Sequence, residues 1–322
     1  MKTMKKITAA LLAIIMVCAS FTACTAPADD GKFNIGIVQL VEHVALDAAT
    51  EGFKQAIIDE LGEENVVFNF QNGQNDPNTC STIVNQFVSN EVDLIMANAT
   101  PALQAAVAAT DKIPILGTSV TEYGVALGIE NFNGTPGGNV SGTSDLAPLD
   151  KQAAMILEWI PEAKSVGLIY CSKEANSQYQ VNVVKAELEK AGVTATLYPF
   201  SDSNDIASVV TAAVENCDVL YVPTDNTAAE NAALIDNICE PAKIPVFAGE
   251  EGICKGCGVA TLSISYYDLG YATGLQAVSI LKGEADISTM PIGYAATQTP
   301  KYNKEQCDAL GITPLEGYEP IA

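Results

Sequence analysis

An α/β fold of two doubly wound parallel-sheet lobes, joined by a hinge that the chain crosses more than once, follows from three observations. Short apolar runs alternate with stretches of helical periodicity along the chain, the pattern of a parallel sheet wrapped by helices. The pattern restarts after Pro148 and the halves keep step: Gly36 and Gly167 are 131 residues apart (167 − 36), as are Ile113 and Ile244 (244 − 113), with "KIPILGTS" answering "KIPVFAGE". The length of 322 residues exceeds one ordinary core and suits two domains.

The first lobe begins with the strand "FNIGIVQL". A helix follows through "ALDAATEGFKQAIIDELG", with Leu46, Ala49, Phe53, Ala56 and Ile57 at helical spacing and Gly62 as its stop. "VVFNF" is the next strand, and Asp76-Pro77 opens the next helix as N-cap and first helical residue. "VDLIMANAT", a helix from Pro101 and "IPILGTS" complete a βαβαβαβ run. The second lobe repeats it: "SVGLIYCS", a helix through "VNVVKAELEKAG", "TATLYPF", a helix after Asn204, "CDVLYVPTDN", a helix from about Thr227, and "IPVFAGEE". "VATLSIS", the helical "YDLGYATGLQAVSILKGE" and the strand-like "MPIGYAA" lie beyond this set and are expected to return to the first lobe. The lobes divide as 33–146 plus 263–294 and 147–262 plus 295–322. In open α/β sheets ligands sit at the carboxyl ends of the strands, so two such lobes face each other across a cleft. A buried strand such as "CDVLYVPTDN" ends in Asp225 because the cleft is there.

The ends and the charge set the compartment and exclude partners. Residues 1–23 carry three lysines and then an apolar run from Ala9 to Val17, too short to span a bilayer as a mature helix; they read as an export signal. The ending "FTAC" is similar to a lipobox, which makes Cys24 the lipid-attachment site and 24–32 a tether to the extracytoplasmic face of a bacterial membrane. Loss of the three leader lysines takes the formal charge from −23 to −26 (−23 − 3). A surface this acidic is a poor partner for nucleic acid or anionic lipid. All 16 basic residues are Lys, so an anionic ligand group must be held by something other than a guanidinium fork. Without leader Cys18 and the lipid-bearing Cys24, seven thiols remain. Cys254 and Cys257 form one CxxC, but no second CxxC exists and the only His, His43, is far away in sequence, so structural cysteines are expected and no metal or other cofactor. There is no GxSxG, HExxH or Walker loop, and "NGTPGGN" lacks a strand-to-helix glycine fingerprint; an enzyme is not expected.

Five ordered motifs, "GIVQLVEHVALDAATEGF", "NVSGTSDLAPLDKQ", "YVPTDN", "FAGEEG" and "SYYDLGYATGLQAVSILKGE", resemble the solute-binding proteins of ABC importers, within the tryptophan/tyrosine type. The resemblance covers nearly the whole mature chain. It implies the type I periplasmic-binding-protein fold, a monomer, and delivery of a small amino acid, aromatic by family type, to permease subunits by cleft closure. A nucleoside or sugar ligand, or a surface sensor without transport, is the alternative. Val44 stands where the family usually has Pro, and Cys254 and Cys257 replace small or aliphatic residues.

An amino-acid zwitterion needs acceptors for its ammonium and donors for its carboxylate. Asp225 and the pair Glu250, Glu251 end second-lobe strands. Asp225 could serve as a helix cap, but Thr227-Ala-Ala-Glu230 reads as a capping box, which frees it. "AGEEG" is similar in position to the loop that carries the ammonium-binding acid in branched-chain amino-acid binding proteins. In the first lobe Thr100, at a helix start, and Thr118 and Ser119, at a strand end, offer hydroxyls and backbone amides. Gln39 and His43 follow the first strand, His43 more as a helix-start or hinge contact; Asn176 and Ser177 hold the equivalent place in the second lobe. Tyr123, Phe132, Tyr179, Tyr266 and Tyr267 are the aromatic candidates for a ligand ring.

Overall fold

The computed structural model describes residues 31–295 and 297–321; the leader and Cys24 lie outside the described residues. The first half runs β1 (Phe33–Gln39), α1 (Val44–Leu61), β2 (Val66–Asn72), α2 (Pro77–Ser89), β3 (Leu94–Asn98), α3 (Thr100–Ala109), β4 (Ile115–Val120), α4 (Tyr123–Leu127) and β5 (Val140–Ser144). The second runs α5 (Leu149–Trp159), β6 (Ser165–Cys171), α6 (Ala175–Lys190), β7 (Thr194–Phe200), α7 (Ser203–Val214), β8 (Val219–Val222), α8 (Asn226–Glu230), α9 (Ala232–Ala242), β9 (Val246–Ala248), α10 (Glu251–Cys257) and β10 (Ala260–Ser263). Then come α11 (Tyr266–Leu281), β11 (Gly293–Tyr294), β12 (Thr299–Tyr302), α12 (Lys304–Leu310) and β13 (Glu319–Pro320).

One sheet has the order β11-β5-β4-β3-β1-β2 and is parallel throughout. The other has the order β13-β12-β10-β9-β8-β6-β7, parallel except where β12 meets β10. The internal repeat is therefore a repeat of topology, since β2-β1-β3-β4-β5 and β7-β6-β8-β9-β10 are the same doubly wound order. Each places a topological switch point between its first and third strands. Strands β3 and β4 are buried on both faces, as helices on either side of a parallel sheet require. Gly36 and Gly167 hold matching places: a Cβ on Gly36 would meet the Phe87 ring at 2.6 Å, and one on Gly167 would meet Leu220 Cδ2 at 2.6 Å.

The chain passes between the sheets three times, after β5, after β10 and after β11. "VATLSIS" does not return to the first lobe as expected. Its strand β10 pairs in parallel with β9 and antiparallel with β12, because β9-α10-β10 is one more short crossover unit of the second sheet. The return is made by α11 and β11. Helix α11 lies against α1 with almost no side chain between them: a Cβ on Gly270 would sit 1.9 Å from the Ala49 carbonyl oxygen, and one on Gly52 2.0 Å from that of Tyr267. These glycines let two helices that both start at the cleft press backbone to backbone.

Candidate functional site

The first residues beyond the strands converge on a small enclosed cavity between the lobes, about 10 Å³ in volume. From the first lobe it is lined by His43 and Leu46 at the start of α1 and by Ser119 and Thr121 at the end of β4. Asp145, one residue past β5, and Tyr266, first in α11, stand on two of the crossings. From the second lobe come Asn176 of α6, Thr224, Asp225 and Asn226 after β8, Ala229 of α8 and Glu250 after β9. The lining holds three carboxylates and no lysine.

Burial dominates the protonation of these acids. It pushes the Asp225 carboxyl up to about 8, aided by the nearby Glu174 charge and opposed by hydrogen bonds from backbone N–H groups. Glu250 is pushed up to about 7, again by burial first. Asp145 is raised by burial against the hydrogen bond from Tyr266. Burial lowers His43, so its ring is neutral and faces Asn226 Oδ1 at 3.2 Å across the cleft.

Hydrogen bonding sorts the sequence candidates. Asp225 is at the cavity, but the proposed capping box does not free it: Asp225 is itself the N-cap of α8. Its Oδ1 accepts from Ala228 N at 2.8 Å and its Oδ2 from Cys171 N at 2.6 Å. The backbone turns helical at Asn226, one residue before Thr227, whose N–H and hydroxyl both donate to Glu174. Glu250 caps α10 through Gly252 N at 2.6 Å and Ile253 N. Glu251 turns away from the central cavity and pairs with Lys301 at 2.7 Å. Asn176 lines the cavity and gives its Nδ2 to Thr224 O at 3.1 Å and Glu174 Oε2 at 3.2 Å.

In the first lobe Ser119 and His43 are the candidates that line the cavity; the Ser119 φ of 53° sits in an irregularity where β4 shifts register against β5. Thr118 is fully buried and meets the Thr143 hydroxyl at 3.2 Å. Thr100 begins α3 with a buried hydroxyl but is not in the lining. Gln39 is consumed beneath α1, giving Nε2 to Asp47 at 2.7 Å and accepting from Thr50 at 2.6 Å. It is not in the cavity lining. Of the aromatic candidates Tyr266 lines the cavity, and its hydroxyl donates to Asp145 Oδ2 at 2.9 Å. Tyr123 is buried with its hydroxyl on Thr143 O, and Tyr267 faces the hinge-side groove with Glu251. Cys254 and Cys257 are buried in the second-lobe core, where burial pushes both thiols well up, away from reactive thiolate.

Sequence reasoning missed Asp145, Thr121, Asn226 and Glu174. Glu174 organises the second-lobe wall: its Oε2 accepts from Asn226 N at 3.1 Å and Asn226 Nδ2 at 2.7 Å, its Oε1 from Thr227 N at 2.9 Å and the Thr227 hydroxyl at 2.8 Å. At the cleft mouth Asn75 Nδ2 crosses from the first lobe to Thr227 Oγ1 at 3.1 Å and Glu230 Oε2 at 3.3 Å.

Two doubly wound lobes meeting on an enclosed polar cavity at their strand ends define a type I periplasmic-binding-protein fold with a site for a small solute. The chain belongs to the ABC transporter substrate binding protein family, whose sequence model matches residues 34–317. A tyrosine-binding protein of Clostridioides difficile (strain R20291) is 37% identical over 284 residues, 88% of this chain and 82% of that one. A structure from Streptococcus pneumonia, solved as an ABC domain in complex with L-Trp, is 33% identical; it covers 90% of this chain and 100% of its own, with a TM-score of 0.85. The ligand-free, open structure of a Clostridium difficile substrate binding protein with adhesive properties is 38% identical over 90% of this chain and 99% of its own, with a TM-score of 0.69. Over the whole chain the likeness is thus greater to the L-Trp complex than to the open structure, although the sequence is nearer to the latter.

Proposed function

We propose that the chain binds an amino acid with an aromatic side chain and hands it to an ABC permease by closing its two lobes. The observation that carries this reading is the lining itself: Asp145, Asp225 and Glu250 are buried around one cavity with no lysine among them, so an ammonium entering there supplies the counter-charge that burial denies them and holds them ionised. The unpartnered Ser119 hydroxyl on the first-lobe side suits the ligand carboxylate in a chain without arginine, and Tyr266, Leu46 and the neutral His43 offer apolar or ring surface to a side chain. The relatives support the ring: one is named for tyrosine and one was solved with L-Trp.

A substrate-binding protein of this family works on the extracytoplasmic side and meets permease subunits there. The chain acts as a monomer held to the membrane by lipid on Cys24, which the partition of the Cys24→Ala variant between membrane and soluble fractions reads directly. Titration calorimetry with L-tyrosine, L-tryptophan, L-phenylalanine, L-leucine, a nucleoside and a hexose tests the ligand class. The aromatic amino acids should bind at least about tenfold tighter than the others, about 1.4 kcal/mol. Tightest binding by the nucleoside or hexose overturns the reading.

A further inference from the structure

Resting on the amino-acid reading above, we propose that Asp145 on the hinge and Asn176 on the second lobe are the paired acceptors of the ligand's ammonium, so that the cation ties the hinge to the second lobe. Four buried carboxylates stand in or behind the cavity wall, and their hydrogen bonds separate them. Asp225 and Glu250 each hold two backbone N–H groups, one on each oxygen, as helix caps. Glu174 is engaged on both oxygens by Asn226 and Thr227 and lies outside the lining. Asp145 differs: Tyr266 donates to Oδ2, and the Thr121 hydroxyl and the residue's own N–H also favour its charged form, yet Oδ1 is buried without a hydrogen bond.

Asn176 shows the same pattern. Its Nδ2 faces Glu174 Oε2 and the Thr224 carbonyl, both of which only accept, so the amide orientation is fixed and Oδ1 is the atom left over. That Oδ1 is buried without a partner too. The cavity lining therefore carries two unpartnered oxygens that can only accept, a carboxylate and a carboxamide, and one unpartnered hydroxyl, Ser119 Oγ, that can donate. An ammonium brings three N–H donors and a carboxylate brings only acceptors, so the inventory matches the two ends of an amino acid. Leaving a buried acceptor unpaired is costly, and a charged one more so, which makes the ammonium the group whose loss the site feels most.

Calorimetry on the wild type, Asp145→Asn and Asp225→Asn tests the assignment, with L-tyrosine and L-tryptophan as ligands and their deamino acids, 3-(4-hydroxyphenyl)propionate and 3-indolepropionate, as controls. The readout is the preference for amino acid over deamino acid. Asp145→Asn should cut that preference by about a hundredfold, the scale of removing one partner of a buried charge pair. Asp225→Asn, which keeps a capping side chain, should cut it less. If Asp145→Asn does not fold, Asn176→Ser reads the same ratio and should lower it about tenfold. An undiminished preference in Asp145→Asn, or a larger loss in Asp225→Asn, overturns the assignment while the amino-acid reading stands. Failure of the wild type to bind either amino acid overturns both.

Discussion

At the scale of single residues, the site holds acids whose protons respond to folding. Asp225 and Glu250 ionise near 3.8 and 4.5 when unperturbed, and in the folded chain burial pushes them up to about 8 and about 7. The folded state binds more protons than the unfolded chain between those limits. Their contribution to stability is therefore full below about pH 4 and is lost as pH rises through 7 to 8. The ligand-free protein should melt at a higher temperature at pH 5 than at pH 8, and the double variant Asp225→Asn, Glu250→Gln should flatten that dependence. An unchanged slope in thermal melts of the double variant would show that other groups set it. Asp225, Glu250, Ser119 and Asn176 were legible because each follows a strand in the repeating pattern. Asp145 was not, because its strand carries no apolar run. β5 reads "VSGTS", and a Cβ on Gly142, at φ 138°, would lie 2.0 Å from the Gly117 carbonyl oxygen, so backbone approach and not side-chain hydrophobicity specifies this strand. Gln39 misled for the opposite reason: it follows the rule of position, yet its side chain turns under α1 to Asp47 and Thr50.

At the scale of elements, the loop between β2 and α2 acts as a clasp on the closed cleft. Gln74 and Asn75 take left-handed φ values of 53° and 58°, and backbone bonds from Gly73 N to Gln39 O at 2.7 Å and from Asn75 N to Leu40 O at 2.8 Å hold that shape. The Asn75 side chain is thereby aimed at Thr227 and Glu230 on the other lobe. Asn75→Gly keeps the backbone conformation at no steric cost and deletes both bonds. These bonds exist only when the lobes are together, so their loss, roughly 1–2 kcal/mol in total, should quicken ligand release by roughly 5–30-fold. Stopped-flow displacement measures this, and an unchanged release rate would mean that the loop does not restrain opening. Helices α1 and α11 were legible from periodicity, whereas the short α8 was misread at its start and α10 was not read as a helix. A helix of five or seven residues has too few turns to show a period, and its first residue is decided by which side chain reaches the free N–H groups.

At the scale of the whole molecule, the repeat at 131 residues made the two-lobed fold legible, since equal spacing of strands and helices implies equal winding. The path of the last third was harder, because "VATLSIS" has the composition of a strand that either sheet would accept, and its place was decided by pairing with β9 and β12. On the proposed function, an intact amino acid closes the lobes by holding first-lobe hydroxyls with one end and the acids of the hinge and second lobe with the other. A ligand favours the closed arrangement only by as much as it binds that arrangement better. Small-angle scattering at saturating L-tyrosine or L-tryptophan, and at saturating deamino analogue, reads this directly. The amino acid should reduce the radius of gyration and the analogue should leave it near the ligand-free value; equal compaction by both, or compaction by neither, would show that the ammonium does not drive closure.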